Sequence, residues 1–215
     1  MIALTEDKRM LGYGGMTPYS NIFCFATTRR GGFSKGDYAS FNCTPYTGDD
    51  AESVRRNQEL LCNSMPQHPK ELVIPFQTHG IKVEVIDEKY LNATSDERTG
   101  MLQGVDALIT KEPGCCICIS TADCIPILLY DRKNQVVAAA HAGWRGTVNY
   151  IAGHTLDTVQ CIQVYSFRQR HTYVGKMYSG WRVGRIVSKR SSPFCPVYDV
   201  AGCGCRLWNP TAGTG

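Results

Sequence analysis

Ser120-Thr-Ala-Asp123-Cys124-Ile-Pro-Ile-Leu-Leu-Tyr130-Asp-Arg-Lys-Asn134-Gln-Val-Val-Ala-Ala-Ala140-His141-Ala-Gly-Trp-Arg145-Gly146 reads as a β-hairpin with a thiol at one end and an imidazole at the other. Its arms are the apolar runs Ile125–Tyr130 and Gln135–Ala140, and the polar tetrad Asp131–Asn134 supplies a four-residue loop. If Tyr130 pairs with Gln135, residue numbers across the ladder sum to 265 and Cys124 lies opposite His141. Directly opposite residues share a face, with Cβ atoms about 4.5–5.5 Å apart. A slip of one residue would put the two on opposite faces, so this expectation rests on the loop assignment.

Outward from the hairpin, short strands dominate. The pattern predicts strands over Asn21–Thr28, Leu72–Gln77, Ile81–Asp87, Val105–Thr110 and Cys115–Ser120, with Lys111-Glu-Pro-Gly114 as a turn. Asp49 or Asp50 can cap a helix from about Ala51 to Met65. A second helix follows Gly146, with Val148, Ile151, Ala152, Leu156 and Val159 at helical spacing. Strands in series with helices near the ends predict an α+β fold of layered mixed β-sheets flanked by helices.

The chain has 215 residues, 43% hydrophobic and 20% charged, the composition of a folded domain with a sizeable core. No apolar run approaches the about 18 residues that a membrane span needs, and Met1–Arg9 lacks a signal peptide's order, so the expectation is a cytoplasmic protein without a membrane partner. Eleven cysteines, an odd number, point to reduced and mostly buried thiols rather than a disulfide framework. Cys115, Cys116 and Cys118 lie in an apolar strand and read as core thiols.

The formal charge of +4 is unevenly spread. Of 23 Lys/Arg and 19 Asp/Glu, residues 158–215 take eight and one, leaving 15 and 18 for residues 1–157. From about Gln160 the periodicity dissolves as the charge jumps. A basic tail of this kind often marks nucleic-acid binding. Here the change in composition reads instead as sequence not selected to fold in this context, and no nucleic-acid partner is expected. The composition change and the charge jump thus begin together at about Gln160.

His79, Cys124 and His141 form a candidate ligand set. Imidazole nitrogen and thiolate sulfur suit zinc, and three protein ligands with one open position is its catalytic arrangement. Asp123 and Arg145 flank two of the three, one able to orient a ligand or act as a base, the other to hold an anion. The same hairpin also permits Cys124 and His141 to act as a metal-free nucleophile–base pair. Alternatively Cys124 is a buried small apolar residue and the histidines are ordinary. Arg29-Arg30-Gly31-Gly32 could contact phosphate, although it lacks P-loop spacing and reads equally as a solvated turn.

Taken together these residues resemble the YfiH family, also described as the laccase-domain or multicopper polyphenol oxidase family. The resemblance is carried by Thr28-Arg29-Arg30-Gly31-Gly32-Phe33-Ser34, Tyr38-Ala-Ser-Phe-Asn42, Gly48-Asp49-Asp50, Asn57, Gln77-Thr78-His79-Gly80, Val105-Asp106-Ala107-Leu108-Ile109-Thr110, Thr121-Ala-Asp-Cys124-Ile-Pro126 and His141-Ala-Gly-Trp-Arg-Gly146, in order, over about Asn21 to Val159. It implies a fold shared with the cytotoxic necrotizing factor catalytic domain, and zinc, rather than copper, on His79, Cys124 and His141. The implied activity is purine nucleoside phosphorolysis (adenosine, inosine, guanosine, methylthioadenosine) with adenosine deamination. Arg29, Asn42 and Arg145 would then contact phosphate or substrate, and Asp106 and Asp123 would orient groups or move protons. Other readings are a cysteine amidohydrolase editing cell-wall precursors and a copper polyphenol oxidase, for which five histidines are few. The resemblance stops after Cys161-Ile162, which implies a family-like catalytic core over 1–162 and an anomalous basic tail over 163–215. The expectation is a shifted reading frame or disrupted gene beyond that point, a core left incomplete at its C-terminal side, and a copy of lowered stability or activity.

Overall fold

The computed structural model describes residues 1–16 and 18–161 in full, together with the backbone of two short strands at 172–178 and 198–199. In chain order the elements are β1 (Ile2–Ala3), β2 (Met10–Gly12), β3 (Ile22–Thr27), α1 (Ala51–Asn63), β4 (Glu71–Val73), β5 (Lys82–Ile86), α2 (Glu88–Asn92), α3 (Ser95–Met101), β6 (Val105–Thr110), β7 (Cys115–Thr121), β8 (Ile125–Asp131), β9 (Val136–Ala142), α4 (Trp144–Val148), α5 (Ile151–Cys161), β10 (Thr172–Tyr178) and β11 (Tyr198–Asp199). One sheet has the order β1-β2-β3-β10-β7-β4 and the other β11-β8-β9-β6-β5. This is the α+β arrangement of layered mixed sheets that the strand pattern predicts.

The two sheets pack face to face. Ile22, Cys24, Val73, Ile117 and Ile119 of the first meet Ile86, Val105, Leu108, Leu128, Val137 and Ala139 of the second in one buried cluster. Alternate residues of the first sheet, among them Phe25, Cys116 and Cys118, face Leu61 of α1 and Phe41 on the outer side. Ile109, Leu129 and Ala138 likewise face Val159 of α5 on the outside of the second sheet. Strands buried on both faces read as continuous apolar runs, which is why β6 and β7 show little alternation. Asp50 caps α1, its side chain accepting from Ser53 N at 2.9 Å.

Several expectations are corrected. The hairpin β8–β9 pairs Pro126 with His141 and Asp131 with Val136, a ladder sum of 267. Asp131 belongs to the strand because its carboxylate accepts from the backbone of Lys133 and Asn134, so the loop begins one residue later. Gln135, at φ +57°, then closes the turn rather than opening β9. The shift is two residues, so parity survives and Cys124 stays on His141's side of the ladder, as a diagonal neighbour.

The helix expected from Gly146 to Val159 is two helices, broken where Tyr150 takes φ +67°. Val148, counted on the apolar face, is 77% exposed. Two helices in the middle of the chain were not foreseen. Asp87 caps α2, and the Thr94/Glu97 capping box starts α3. β4 is shorter than expected, ending at Val73, with Phe76 in an isolated bridge to Gln103.

The expectation of an anomalous tail over residues 163–215 lies outside the described residues except at its two strands. Thr172–Tyr178 runs between β3 and β7, parallel to both, where two strand edges would otherwise be left unpaired. Among the described residues no helix is long and apolar enough to cross a membrane.

All eight described cysteines are free, and six are buried. Burial pushes the thiol of Cys62 up to about 11 and that of Cys115 to about 12, so both stay protonated and unreactive at neutral pH. Peptide-resolved alkylation of the native protein at pH 8 should therefore leave Cys62 and Cys115 unmodified while the exposed Cys161 reacts.

Candidate metal centre and its cleft

Three loops meet at one end of the sandwich because the strands they leave are parallel. β4 pairs parallel with β7, and β7 with β3 through β10, so their C-terminal ends lie together. After β4 the chain crosses to the second sheet through residues 74–81, which carry His79. After β7 it crosses through residues 122–124, which carry Cys124. After β3 come residues 28–50. His141 lies on β9, beside the crossing.

The nitrogen and sulfur donors of His79, Cys124 and His141 all lie within 4.8 Å of one another. Imidazole, thiolate and imidazole are the donor set of a zinc or other borderline-soft cation, and three such groups leave a fourth position open. The rings of His79 and His141 stand at 74° with centroids 4.7 Å apart. Gly143 makes room for this approach: a Cβ there would sit 2.8 Å from His79 Cδ2 and 3.2 Å from Cys124 Sγ. Gly143→Ala should displace two of the three donors and weaken zinc binding by at least about tenfold with the fold intact. Competitive titration against a chromogenic chelator measures it, and unchanged affinity would contradict this packing.

Asp106 organises the centre from beneath and is fully buried. It is the extra residue of a β-bulge: Lys82 pairs with Val105 and Val83 with Ala107, leaving Asp106 out of register. Bulges re-aim side chains. Here the carboxylate accepts from the backbone N–H of Thr78 (3.1 Å), His79 (3.0 Å) and Gly80 (2.7 Å), and lies 2.7 Å from Nδ1 of His141. Burial alone would raise this carboxyl, but the bonds from His141, Gly80 and Thr78 outweigh it and hold it below its ordinary range. An ionised carboxylate only accepts, so the His141 proton sits on Nδ1 and the Nε2 lone pair is free for a metal. The same bonds hold His79 at φ +61°, a conformation costing about 1–3 kcal/mol without such support.

Sequence reasoning missed Gln77 as a working residue. Its side-chain amide donates to Ser120 O (2.8 Å) and accepts from Ser120 N (2.7 Å), tying the His79 loop to the end of β7 that leads into Cys124. The motif Gln77-Thr-His-Gly80 contains it, but its partner lies 43 residues away.

Beside the centre is a cleft of about 360 Å³ lined by Thr44, Tyr46, Thr47, Pro75, Phe76, Gln77, His79, Ser120, Thr121, Ala122, Asp123, Cys124 and His141. The hydroxyl oxygens of Ser120 and Thr121 are buried there without a hydrogen-bond partner among the described residues. Asp123 is the one carboxylate on the lining described, its Oδ1 3.8 Å from Cys124 Sγ. Burial first, then Asp123, then Asp106 raise the Cys124 thiol above its ordinary value. A raised thiol is the opposite of what a metal-free nucleophile needs, whereas a coordinating cation would draw the proton off.

The remaining expected site residues lie elsewhere. Arg29 donates to Ala39 O (2.9 and 2.6 Å) and is not on the cleft lining. Asn42 is buried, with its amide donating to Thr47 Oγ1 and Asp49 Oδ2 (both 2.9 Å) and its carbonyl accepting from Thr44 N (3.2 Å). It shapes the loop that brings Thr44, Tyr46 and Thr47 to the cleft. Asn57 of α1 knits the preceding segment together, donating to Ser34 Oγ and Asn42 O and accepting from Phe33 N. Arg145 is exposed on α4, its guanidinium 5.4 Å from the Trp144 ring centre, outside the lining.

Residues 23–161 match the family described as multi-copper polyphenol oxidoreductase laccase. A Bacteroides thetaiotaomicron protein named purine nucleoside phosphorylase is 63% identical over 156 residues, which are 73% of this chain and 58% of that one. A protein named adenosine deaminase RL5, from an unknown prokaryotic organism, is 40% identical over 65% of this chain and 57% of its own. Among solved structures, YlmD of Geobacillus stearothermophilus matches with a TM-score of 0.56 and 34% identity, over 63% of this chain and 52% of that one. YfiH of Bacillus licheniformis matches with a TM-score of 0.54 and 29% identity, over 61% and 49%. The matched part of this chain thus spans about half the length of these relatives, from 49% to 58%.

Proposed function

Given that the chain belongs to the YfiH-type family described as multi-copper polyphenol oxidoreductase laccase, we propose that it is a zinc-dependent enzyme of purine nucleosides, combining phosphorolysis with adenosine deamination. The observation that carries this reading is the His79/Cys124/His141 centre opening on a cleft of nucleoside size. The names of two relatives, one a purine nucleoside phosphorylase and one an adenosine deaminase, supply the reaction classes.

The residues fit the metal. They offer two imidazoles and one thiolate, a glycine that gives them room, and a carboxylate behind one imidazole that fixes its tautomer. Zinc held there supplies Lewis-acid polarisation and brings the pKa of water toward about 7. In deamination, water adds at C6 of adenosine and ammonia leaves, with Asp123 placed to take the water's proton and return it to the departing nitrogen. In phosphorolysis, a phosphate oxygen attacks C1′ as the bond to N9 breaks and the base leaves with a proton gained on its ring. Arg145, exposed on α4 four residues after His141, is the candidate anchor for phosphate. Gln77, Asn42 and Asp106 position the loops.

The family description also names copper, but among the described residues one group of three possible ligands is present. That group would hold one ion, whereas a multicopper oxidase holds several.

The test is a restoration experiment. Chelator-treated protein should lose release of ammonia from adenosine, and of hypoxanthine from inosine plus phosphate, and regain both with stoichiometric zinc. Full activity after metal removal would contradict the reading.

A further inference from the structure

We propose that Phe76, braced by Tyr46, is the face on which the purine base stacks; the proposal rests on the nucleoside reading above. Phe76 is a large apolar side chain left 36% exposed on the lining of the metal cleft. Its backbone is tied to the segment after α3, donating to Leu102 O at 3.1 Å within a parallel bridge to Gln103. It stands three residues before His79, so the two Cα atoms are at most about 11 Å apart. Both residues line the same cleft as Cys124 and His141, so a base stacked on that ring would share the cleft with the metal centre.

Tyr46 meets Phe76 edge to face, with centroids 5.2 Å apart and planes at 74°. Tyr46 is itself held by the loop that Asn42 ties to Thr47 and Asp49. The two rings differ in what they face. Tyr46 also lines a second cleft beside Glu71, Tyr90 and Arg98, whereas Phe76 lines the metal cleft and is not on that second lining. Tyr46 is thus a partition that fixes the ring, and Phe76 is the platform. Every base has a π-face, so stacking here is indifferent to the substituent at C6, as an enzyme handling adenosine and inosine alike requires. Stacking is also equal in ground and transition states, so it belongs in KM rather than kcat.

The experiment compares wild type, Phe76→Leu and Phe76→Tyr as zinc-loaded full-length protein, reading adenosine affinity by calorimetry, KM and kcat by turnover, and zinc content. Leu keeps apolar bulk without a π-face; Tyr keeps the face. Phe76→Leu should weaken adenosine binding and raise KM by about 10- to 100-fold, with kcat within about threefold and zinc unchanged. Phe76→Tyr should stay close to wild type. Equal affinity in Phe76→Leu and wild type overturns the stacking proposal alone. Loss of zinc or of kcat in Phe76→Leu shows a structural role and overturns it too. A wild type that binds adenosine through Phe76 but turns over no nucleoside upholds stacking and removes the proposed reactions. A wild type that binds no nucleoside overturns both.

Discussion

Cys124→Ala should purify without stoichiometric zinc and lose nucleoside turnover by at least about 10³-fold, the several kcal/mol that metal-ion activation supplies. The fold should survive, because Cys124 lies outside every hydrophobic cluster of the core. The loss comes from geometry. Cys124 lies in the three-residue crossing between β7 and β8 and supplies the sulfur donor between two imidazoles. Thermal unfolding close to wild type, with zinc and activity both gone, is the expected pair of results. Activity that survived the substitution would remove the thiol from the mechanism, and with it both the zinc and the cysteine-hydrolase readings. Alkylation gives a second readout. Cys124 should react in the metal-free protein and be protected once zinc is added.

The second large effect is expected from Asp106→Asn. An amide is nearly isosteric but has one acceptor oxygen where the carboxylate has two. It must either abandon backbone N–H groups of Thr78, His79 and Gly80 or present its NH₂ to His141 Nδ1. In the second case the imidazole proton moves to Nε2, the nitrogen the metal needs. Zinc affinity should fall by about 10- to 100-fold, the range for removal of such an orienting partner. Competitive chelator titration measures it. The same carboxyl gives a pH signature. Its folded pKa lies below the unfolded 3.8, so its contribution to stability is present above that value and is lost as the pH falls through the folded pKa. Asp106→Asn should flatten that part of the acid unfolding curve.

The sequence made the centre legible to an uneven degree. His79, Cys124 and His141 could be singled out because donor side chains next to turn residues are visible locally, and because face parity is robust. The hairpin register was read two residues out, yet the parity that decides which residues share a face was kept. Asp106 could be quoted but not understood. Its role depends on a bulge between β5 and β6, and nothing in Val105-Asp-Ala-Leu-Ile-Thr110 announces which residue falls out of register. Gln77 was hidden for a similar reason, since an amide clamp needs both loops in place.

Helices show the same division. α1 has an apolar face and a capping aspartate, and both were read. α3, Ser95–Met101, has a capping box but no buried residue, so a search by periodicity passes over it. The break between α4 and α5 was masked by a continuous apolar period. It turns on Tyr150, whose ring lies where a Cβ on Gly153 would have to be, with Tyr150 Cε1 1.8 Å away from that position.

One zinc ion on His79, Cys124 and His141 is what we propose serves purine nucleoside chemistry. The most direct measurement is inosine cleavage by protein of known zinc content across a series of phosphate concentrations. The expected result is one zinc per chain and hypoxanthine release that saturates with phosphate, yielding ribose 1-phosphate in equal amount. A protein that carries one zinc on these residues and releases no hypoxanthine at any phosphate concentration would contradict it.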